Sequence, residues 1–301
     1  MMDRMTPVDS RAFYLGVCSG KGGVGKSTVA LLLASRLAEA GCRTLLVDAD
    51  FGLGDLATLT NVTIKYGFED LLQGQVSLEE ASLRIGPRLW LLGSRPGSYL
   101  PPEGINALGL RECSEIDTLF DVAVIDTPAS LGEFNLRLLA GSDLALTITT
   151  PRIPAVADTY VQLKRLVELR RDLECAFLVN LVESEAEAEQ AKSKFRELVA
   201  KFLKRQISPL AVLAQTPGLV QASETQALLE LTRKPNEISK AFAAIVNLLQ
   251  DSYLKNKRGR RSLWQRLERS EGLKDVGTFD DKRRVALGPP QNVSTELLVN
   301  Q

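Results

Sequence analysis

A glycine-rich stretch, Ser19–Thr28 (SGKGGVGKST), has the residue types and the spacing that could hold a phosphate chain. It fits the pattern G-x-x-x-x-G-K-[ST] through Gly20, Gly25, Lys26 and Ser27. Glycines let backbone N–H groups turn inward around phosphate oxygens, and the positive end of a helix dipole favours the same anion. In this pattern the lysine reaches the β- and γ-phosphates while the hydroxyl holds Mg²⁺. The stretch therefore predicts a nucleotide site that contains magnesium.

Two apolar runs that end in aspartate supply candidate carboxylates for the same site. Arg43–Asp48 leads into Asp50, and Asp121–Asp126 ends in Asp126. An open α/β sheet places its ligand chemistry at the carboxyl ends of its strands. Asp126 is the type of carboxylate that holds Mg²⁺ beside a phosphate loop, although an aspartate in this place also serves as a helix cap. The chain has no histidine, so Asp50 is the natural group to position an attacking water, its alternative role being to cap the following turn.

Short apolar runs alternate with helical stretches along most of the chain. This alternation predicts an α/β fold with a doubly wound, mostly parallel sheet that helices cover on both faces. The predicted strands are Phe13–Cys18, Arg43–Asp48, Arg88–Leu92, Asp121–Asp126, Asp143–Thr149, Cys175–Asn180 and Leu210–Ala214. The predicted helices are Thr28–Ala40, Tyr66–Gly74, Leu108–Phe120, Ala155–Asp172, Glu185–Arg205 and Ile238–Tyr253, while Phe51–Leu59 and Pro96–Gly104 are predicted as loops.

Composition limits the classes of partner and the compartment. Lys+Arg and Asp+Glu balance at 37 each, so no overall field attracts nucleic acid or membrane, and any such partner must meet a local patch. The four cysteines form no C-x-x-C pair, which favours reduced thiols over zinc sites or disulfides. The N-terminus has no apolar signal region and the chain has no run of 18 apolar residues. We expect a cytoplasmic location.

The run K-G-G-V-G-K-S-T begins with Lys21, a lysine additional to Lys26, and it resembles the deviant Walker A motif of the MinD/ParA ATPases. Asp48-Ala49-Asp50 is similar to the Walker A′ motif of that family. The closest resemblance is to the MinD/FlhG branch, through DADFGLGDL and through the pattern T-P-x₆-D-x-Y-x₃-K at Pro151, Asp158, Tyr160 and Lys164. The resemblance covers roughly residues 12–250. It implies a P-loop ATPase that hydrolyses ATP slowly and is stimulated by a partner protein.

The resemblance also implies roles for individual residues. Lys21 would reach the nucleotide of a second subunit in an ATP-dependent homodimer, as an arginine finger does, unless it is only a solvated surface lysine. Asp50 would orient the attacking water, and Asn180 would read the adenine edge unless it only forms a turn. The implied catalytic residues are Lys21, Lys26 and Asp50, and the implied metal ligands are Ser27, Asp48 and Asp126. The implied nucleotide contacts are Gly20, Lys21, Gly22, Gly23, Val24, Gly25, Lys26, Ser27, Thr28 and Asn180.

We divide the chain into a short lead (residues 1–12), the ATPase domain (13–254), a basic amphipathic segment (255–271) and a tail predicted to be disordered (272–301). Leu263, Trp264 and Leu267 give Lys255–Arg269 a short apolar face among basic residues, which favours binding to an anionic membrane. The same charges could instead contact DNA phosphates, or the segment could be a solvated tail.

The preferred functional hypothesis is a MinD/FlhG-type switch that positions or counts a flagellum or a division site. ATP would join two subunits, and the dimer would associate reversibly with the inner membrane. The alternative is a ParA-type ATPase that binds DNA and segregates or positions cargo. ATP and Mg²⁺ are the cofactors under both readings.

Overall fold

The computed structural model describes residues 11–99, 105–130, 132–233, 236–252, 254 and 261–269. Within these ranges the strands are β1 (Phe13–Ser19), β2 (Thr44–Asp48), β3 (Leu83–Gly86), β4 (Leu89–Leu92), β5 (Val122–Asp126), β6 (Leu144–Thr149), β7 (Glu174–Val182) and β8 (Ser208–Ala214). They form one sheet in the order β3-β4-β2-β5-β1-β6-β7-β8. Every pairing is parallel except the antiparallel pair of β3 and β4 at one edge.

Helices connect the strands and cover the sheet. In the described ranges they are α1 (Lys26–Glu39), α2 (Asp55–Thr60), α3 (Phe68–Leu72), α4 (Leu78–Ala81), α5 (Ala107–Ser114), α6 (Ile116–Leu119), α7 (Glu133–Gly141), α8 (Ile153–Leu169), α9 (Glu185–Leu203), α10 (Pro217–Glu224), α11 (Leu228–Arg233), α12 (Glu237–Ser252) and α13 (Leu263–Arg269). None of them has the length and apolar character that crossing a membrane requires.

Strand β1 lies at the centre of the sheet and shows why both faces need helices. Its side chains alternate between two apolar clusters: Leu15 and Val17 pack with α1 and α12, whereas Tyr14 packs with α5 and α7 on the other face. Because both faces are buried, the strand is a nearly continuous apolar run from Phe13 to Cys18. The predicted doubly wound α/β fold is confirmed.

The register of β2 against β5 brings the candidate carboxylates together. Asp48 and Asp126 end their strands as direct neighbours across the pair. Both strands run parallel, so their carboxyl ends meet at the edge of the sheet where the loop after β1 also lies. The fold therefore gathers at one edge the residues that the sequence placed far apart.

Some predicted elements differ from the structure. The predicted helix Leu108–Phe120 is two shorter helices, α5 and α6, and the predicted loop Phe51–Leu59 contains the start of α2. The edge strand β3 was not predicted, because it is only four residues long and is partly exposed, so its apolar pattern is weak.

The short apolar face predicted at Leu263, Trp264 and Leu267 is buried against the rest of the protein in this structure. Their exposed fractions are 0%, 2% and 3%, because α13 packs onto α5 and α7 in the core cluster that contains Tyr14. The Trp264 and Tyr14 rings meet edge to face with centroids 6.3 Å apart. A short helix with three apolar residues is stabilised by burying them against its own domain, at about 1.5–3 kcal/mol for each.

Residues 1–10, residues 255–260 and the predicted tail at 272–301 lie outside the described residues.

Candidate functional site

A cavity of about 600 Å³ opens at the carboxyl edge of the sheet, and the glycine-rich loop forms one wall of it. Lys21, Ser27 and Thr28 line this cavity together with Asp50 from the loop after β2. Gly25 ends the loop in the left-handed region, with φ of 83°, and α1 begins at Lys26. The amino end of α1 and the loop backbone thus face one space, as anion binding requires.

The start of the loop is pressed against α8. A Cβ atom added at Gly20 would lie 2.0 Å from the backbone carbon of Asp158 and 2.2 Å from the nitrogen of Thr159. The Gly20 N–H also points to the Thr159 hydroxyl at 3.4 Å. This close approach of two backbones is the reason why the pattern needs glycine at this position.

Lys26 forms a buried ion pair with Asp126 inside the cavity wall. Lys26 Nζ lies 2.6 Å from Asp126 Oδ1, and the two residues are 8% and 0% exposed. Lys26 Nζ is also 3.4 Å from the Ser27 hydroxyl. Burial raises the pKa of the Asp126 carboxyl, and the Lys26 charge opposes that rise. The structure therefore brings together the three predicted residues that should meet the phosphates and the metal.

Asp48 organises the loop that follows β2. Its carboxylate accepts hydrogen bonds from the backbone N–H groups of Asp50, at 3.0 Å, and Leu56, at 3.4 Å. Burial, with a smaller contribution from the negative charge of Asp126, raises the pKa of Asp48 to about 8. Asp48 is therefore held against the backbone, whereas the half-buried Asp50 faces the cavity, and burial raises the pKa of Asp50 as well.

Lys21 lies at the exposed rim of the cavity. Among the described residues its ammonium group forms no ion pair, and its backbone carbonyl accepts a hydrogen bond from the Ser19 hydroxyl at 2.9 Å. The backbone of Lys21 is thus fixed at the rim while its side chain lies in solvent.

Asn180 contacts the loop from the end of β7. Its Nδ2 donates to the backbone carbonyl of Val24 at 2.8 Å, and the residue is 2% exposed. Its Oδ1 is buried and has no hydrogen-bond partner among the described residues.

The cavity also contains residues to which the sequence analysis assigned no role: Leu53, Asp55, Thr58, Leu59, Pro128, Ala129 and Ser130. Asp55 is the only ionisable residue among these, and its negative charge contributes to the raised pKa of Asp50. The signal that could have found it is local: glycines at 52 and 54, both with positive φ, turn the chain after Asp50 back towards the loop.

The chemistry of this site fits Mg²⁺ bound with a nucleotide. Asp126 Oδ2 is buried without a hydrogen-bond partner in the described structure, and the Ser27 hydroxyl lies beside the same ion pair. Mg²⁺ prefers such oxygen ligands and usually takes one or two carboxylates together with phosphates and waters. No group of three or more His, Cys, Asp or Glu residues suited to a metal occurs among the described residues.

The fold, the glycine-rich loop and the paired Lys26 and Asp126 define a doubly wound P-loop nucleotide-binding protein. Residues 15–229 match the CobQ/CobB/MinD/ParA nucleotide binding domain. The chain belongs to this family, and the predicted resemblance is confirmed.

Two similar proteins are the antiactivator FleN of Pseudomonas aeruginosa and the flagellum site-determining protein YlxH of Helicobacter pylori. FleN is 27% identical over 248 residues, which cover 81% of this chain and 87% of FleN. YlxH is 29% identical over 200 residues, which cover 65% of this chain and 66% of YlxH. These matches agree with the predicted MinD/FlhG branch.

A solved structure with the same fold is the septum site-determining protein MinD of Pyrococcus horikoshii in complex with Mg-ADP. It is 20% identical, covers 81% of this chain and 98% of that protein, and superposes with a TM-score of 0.65.

Proposed function

We propose that this protein binds ATP with Mg²⁺, hydrolyses it slowly and works as a dimerisation switch of the MinD/FlhG type. The observation that carries the proposal is the ion pair of Lys26 and Asp126 in the wall of a cavity of about 600 Å³, which is large enough for a nucleotide, with Lys21 exposed at its rim. When a nucleotide is absent, Lys26 neutralises Asp126. When Mg²⁺ and phosphates bind, Lys26 would pair with the phosphates and Asp126 with Mg²⁺, so neither buried charge would be left without a counter-charge.

Each site residue has one task in this proposal. Lys26 and the loop N–H groups bind phosphates, while Ser27 and Asp126 hold Mg²⁺, which offsets phosphate charge when it is bound. Asp50 orients the attacking water, because it faces the cavity and no histidine is available. Asp48 supports the metal site by fixing the loop that carries Asp50. Lys21 contacts the nucleotide of the second subunit, and the Asn180 carbonyl oxygen accepts a hydrogen bond from adenine.

The relatives suggest the process that the switch serves. YlxH is a flagellum site-determining protein and FleN is an antiactivator. The solved structure with a similar fold is that of MinD, a septum site-determining protein. We propose that this chain positions or counts a flagellum or a division site, and that an activating protein stimulates its hydrolysis.

Reversible binding to the inner membrane through Lys255–Arg269 is part of the proposal. It requires a change in the position of α13. The apolar residues of α13 are buried against the domain, so the helix must leave this position before it can enter a lipid surface. ATP-dependent dimerisation would then place two such helices on one particle, so that the second attachment is intramolecular.

A reversible cross-link tests this condition better than truncation, because it changes one buried side chain of α13 and leaves Trp264 and Leu267 in the core. A Cβ atom at Gly141 would lie 3.2 Å from the Leu263 Cγ and 3.9 Å from the Leu263 Cα, so cysteine side chains at the two positions would be adjacent, as a disulfide with Cβ atoms about 3.5–4.5 Å apart requires. We expect the Gly141→Cys/Leu263→Cys protein to pellet with anionic vesicles in ATP only after reduction. The unaltered protein should pellet in ATP and not in ADP.

Equal pelleting of the oxidised and reduced protein would contradict helix release. If no protein pellets in either nucleotide while ATP-dependent DNA binding is found, the ParA-type alternative replaces the membrane proposal.

A further inference from the structure

Asn180 lies where β7 leaves regular pairing. The register against β8 shifts between Val179 and Val182, and Leu181 has φ of 58°, in the left-handed region. A leucine in this conformation costs about 1–3 kcal/mol, and such strain persists where the surroundings fix the backbone and often marks functional sites. The strained residue follows directly after the side chain that reaches the P-loop.

The side-chain amide of Asn180 is in close contact with Val24 and Gly25 at the end of the loop. Besides the 2.8 Å hydrogen bond to the Val24 carbonyl, its Nδ2 lies 2.5 Å from the place where a Cβ atom at Gly25 would be. The Val24 carbonyl can only accept a hydrogen bond, so it fixes which end of the amide faces the loop. The Asn180 Oδ1 is therefore turned away from the loop and left without a partner among the described residues.

We propose that Asn180 is a positioning residue that holds the P-loop in its phosphate-binding shape before a nucleotide arrives. This inference rests on the proposed nucleotide-binding function. It assigns Asn180 an action on the loop itself, in addition to any contact with a base.

The rest of the loop explains why such an anchor matters. Added Cβ atoms at Gly22 and Gly23 would meet nothing within 4 Å, so no neighbouring element packs against these two residues on the side that a Cβ atom would occupy. Its first residue, Gly20, is held against α8; at the other end the Val24 side chain is buried in the core and Asn180 holds the Val24 carbonyl. If the loop is released at one end, the phosphate-binding shape becomes one of several, and the apparent dissociation constant rises in inverse proportion to its population.

The fixed orientation of the amide also determines which group Asn180 would present to a base. Oδ1 is an acceptor, so it suits a purine that presents an amine at position 6, as adenine does, and it repels the oxygen that guanine carries there. Loss of the amide should therefore reduce phosphate binding and base preference together, whereas a residue that only read the base would affect base preference alone.

The test uses a ligand that has phosphates and no base. Binding of magnesium tripolyphosphate, Mg-ATP and Mg-GTP is measured by calorimetry for the full-length protein and for Asn180→Leu. We expect roughly tenfold or greater weakening of tripolyphosphate binding in the variant, because a buried carbonyl loses its donor and the loop loses its anchor. The preference for ATP over GTP should fall as well.

Thr147→Val is the matched control. The buried Thr147 hydroxyl donates to the Ala176 carbonyl in β7 at 3.1 Å rather than to the loop, so this variant loses a similar hydrogen bond and should bind all three ligands as before. Asn180→Ala replaces the leucine variant if that one does not fold. Unchanged tripolyphosphate affinity in a folded Asn180 variant would overturn the positioning role while leaving the proposed function intact. Failure of the unaltered protein to bind either tripolyphosphate or ATP would overturn both.

Discussion

Asp126→Asn is the substitution that reports most on the ion pair in the site. It keeps the size of the side chain and removes the negative charge that faces Lys26 Nζ at 2.6 Å. Both partners are buried, so the Lys26 ammonium would keep its desolvation cost and lose its counter-charge.

The expected loss of stability follows from that burial. Breaking a buried pair by removing one partner costs about 3–5 kcal/mol, and the asparagine still offers a hydrogen-bond acceptor, so we take the lower end, about 3 kcal/mol. For a domain of this size each kcal/mol lowers Tm by about 2–4 °C, which gives a decrease of about 6–12 °C. The added stability that Mg-ATP gives the unaltered protein should be largely lost, because Asp126 is also a proposed metal ligand.

Thermal unfolding with and without Mg-ATP measures both effects. Asp143→Asn is the matched control: Asp143 is 2% exposed and pairs with Arg11 at 2.6 Å, near the amino ends of β1 and β6, away from the cavity. The control should lower Tm in the ligand-free protein and keep the full shift with Mg-ATP. A ligand-free Tm of Asp126→Asn equal to that of the unaltered protein would refute the ion-pair argument.

Three further predictions concern the glycine-rich loop, the helix α13 and the pH dependence of stability. Gly20→Ala should abolish nucleotide binding and lower Tm, because its Cβ atom would meet the α8 backbone at 2.0 Å; Gly22→Ala meets nothing within 4 Å and should leave the ligand-free Tm unchanged. Trp264→Ala should cost about 3–5 kcal/mol in a denaturant titration if α13 is a core element, and close to zero if it is a solvated tail. Burial alone would raise the pKa of Asp143, but the hydrogen bonds and charge of Arg11 outweigh it and lower that pKa. The stability that the Asp143 carboxylate contributes is thus present above its unfolded pKa of about 3.9 and is lost as pH falls through its folded pKa. In a plot of Tm against pH, Asp143→Asn should therefore reduce the fall in Tm at acid pH.

The nucleotide loop was predictable because its chemistry is local. Four residues between Gly20 and Ser27 define the motif. The apolar strand before it and the helix after it fix its place in a βα unit. The convergence of Asp48 and Asp126 was also predictable, since parallel strands that end in aspartate bring those ends to one edge of a sheet.

Contacts that depend on packing between distant elements were not predictable. The hydrogen bond from Asn180 to Val24 joins β7 to the loop after β1 and depends on the strand order across β6. The position of α13 depends on which apolar surface covers its three apolar residues, and a short amphipathic pattern is equally consistent with a membrane and with a protein core. The sequence pattern thus indicated an apolar face without indicating its partner.

The central claim, that ATP joins two subunits through this site, is tested most directly by the molar mass in solution. Light scattering would compare Asp50→Ala, which should retain ATP, in Mg-ATP and in Mg-ADP, with and without Lys21→Ala. The account predicts a mass that doubles from 32.9 kDa in ATP only, and a mass that stays at that value in both nucleotides once Lys21 is removed. An unchanged mass in ATP, or a dimer that persists without Lys21, would contradict it.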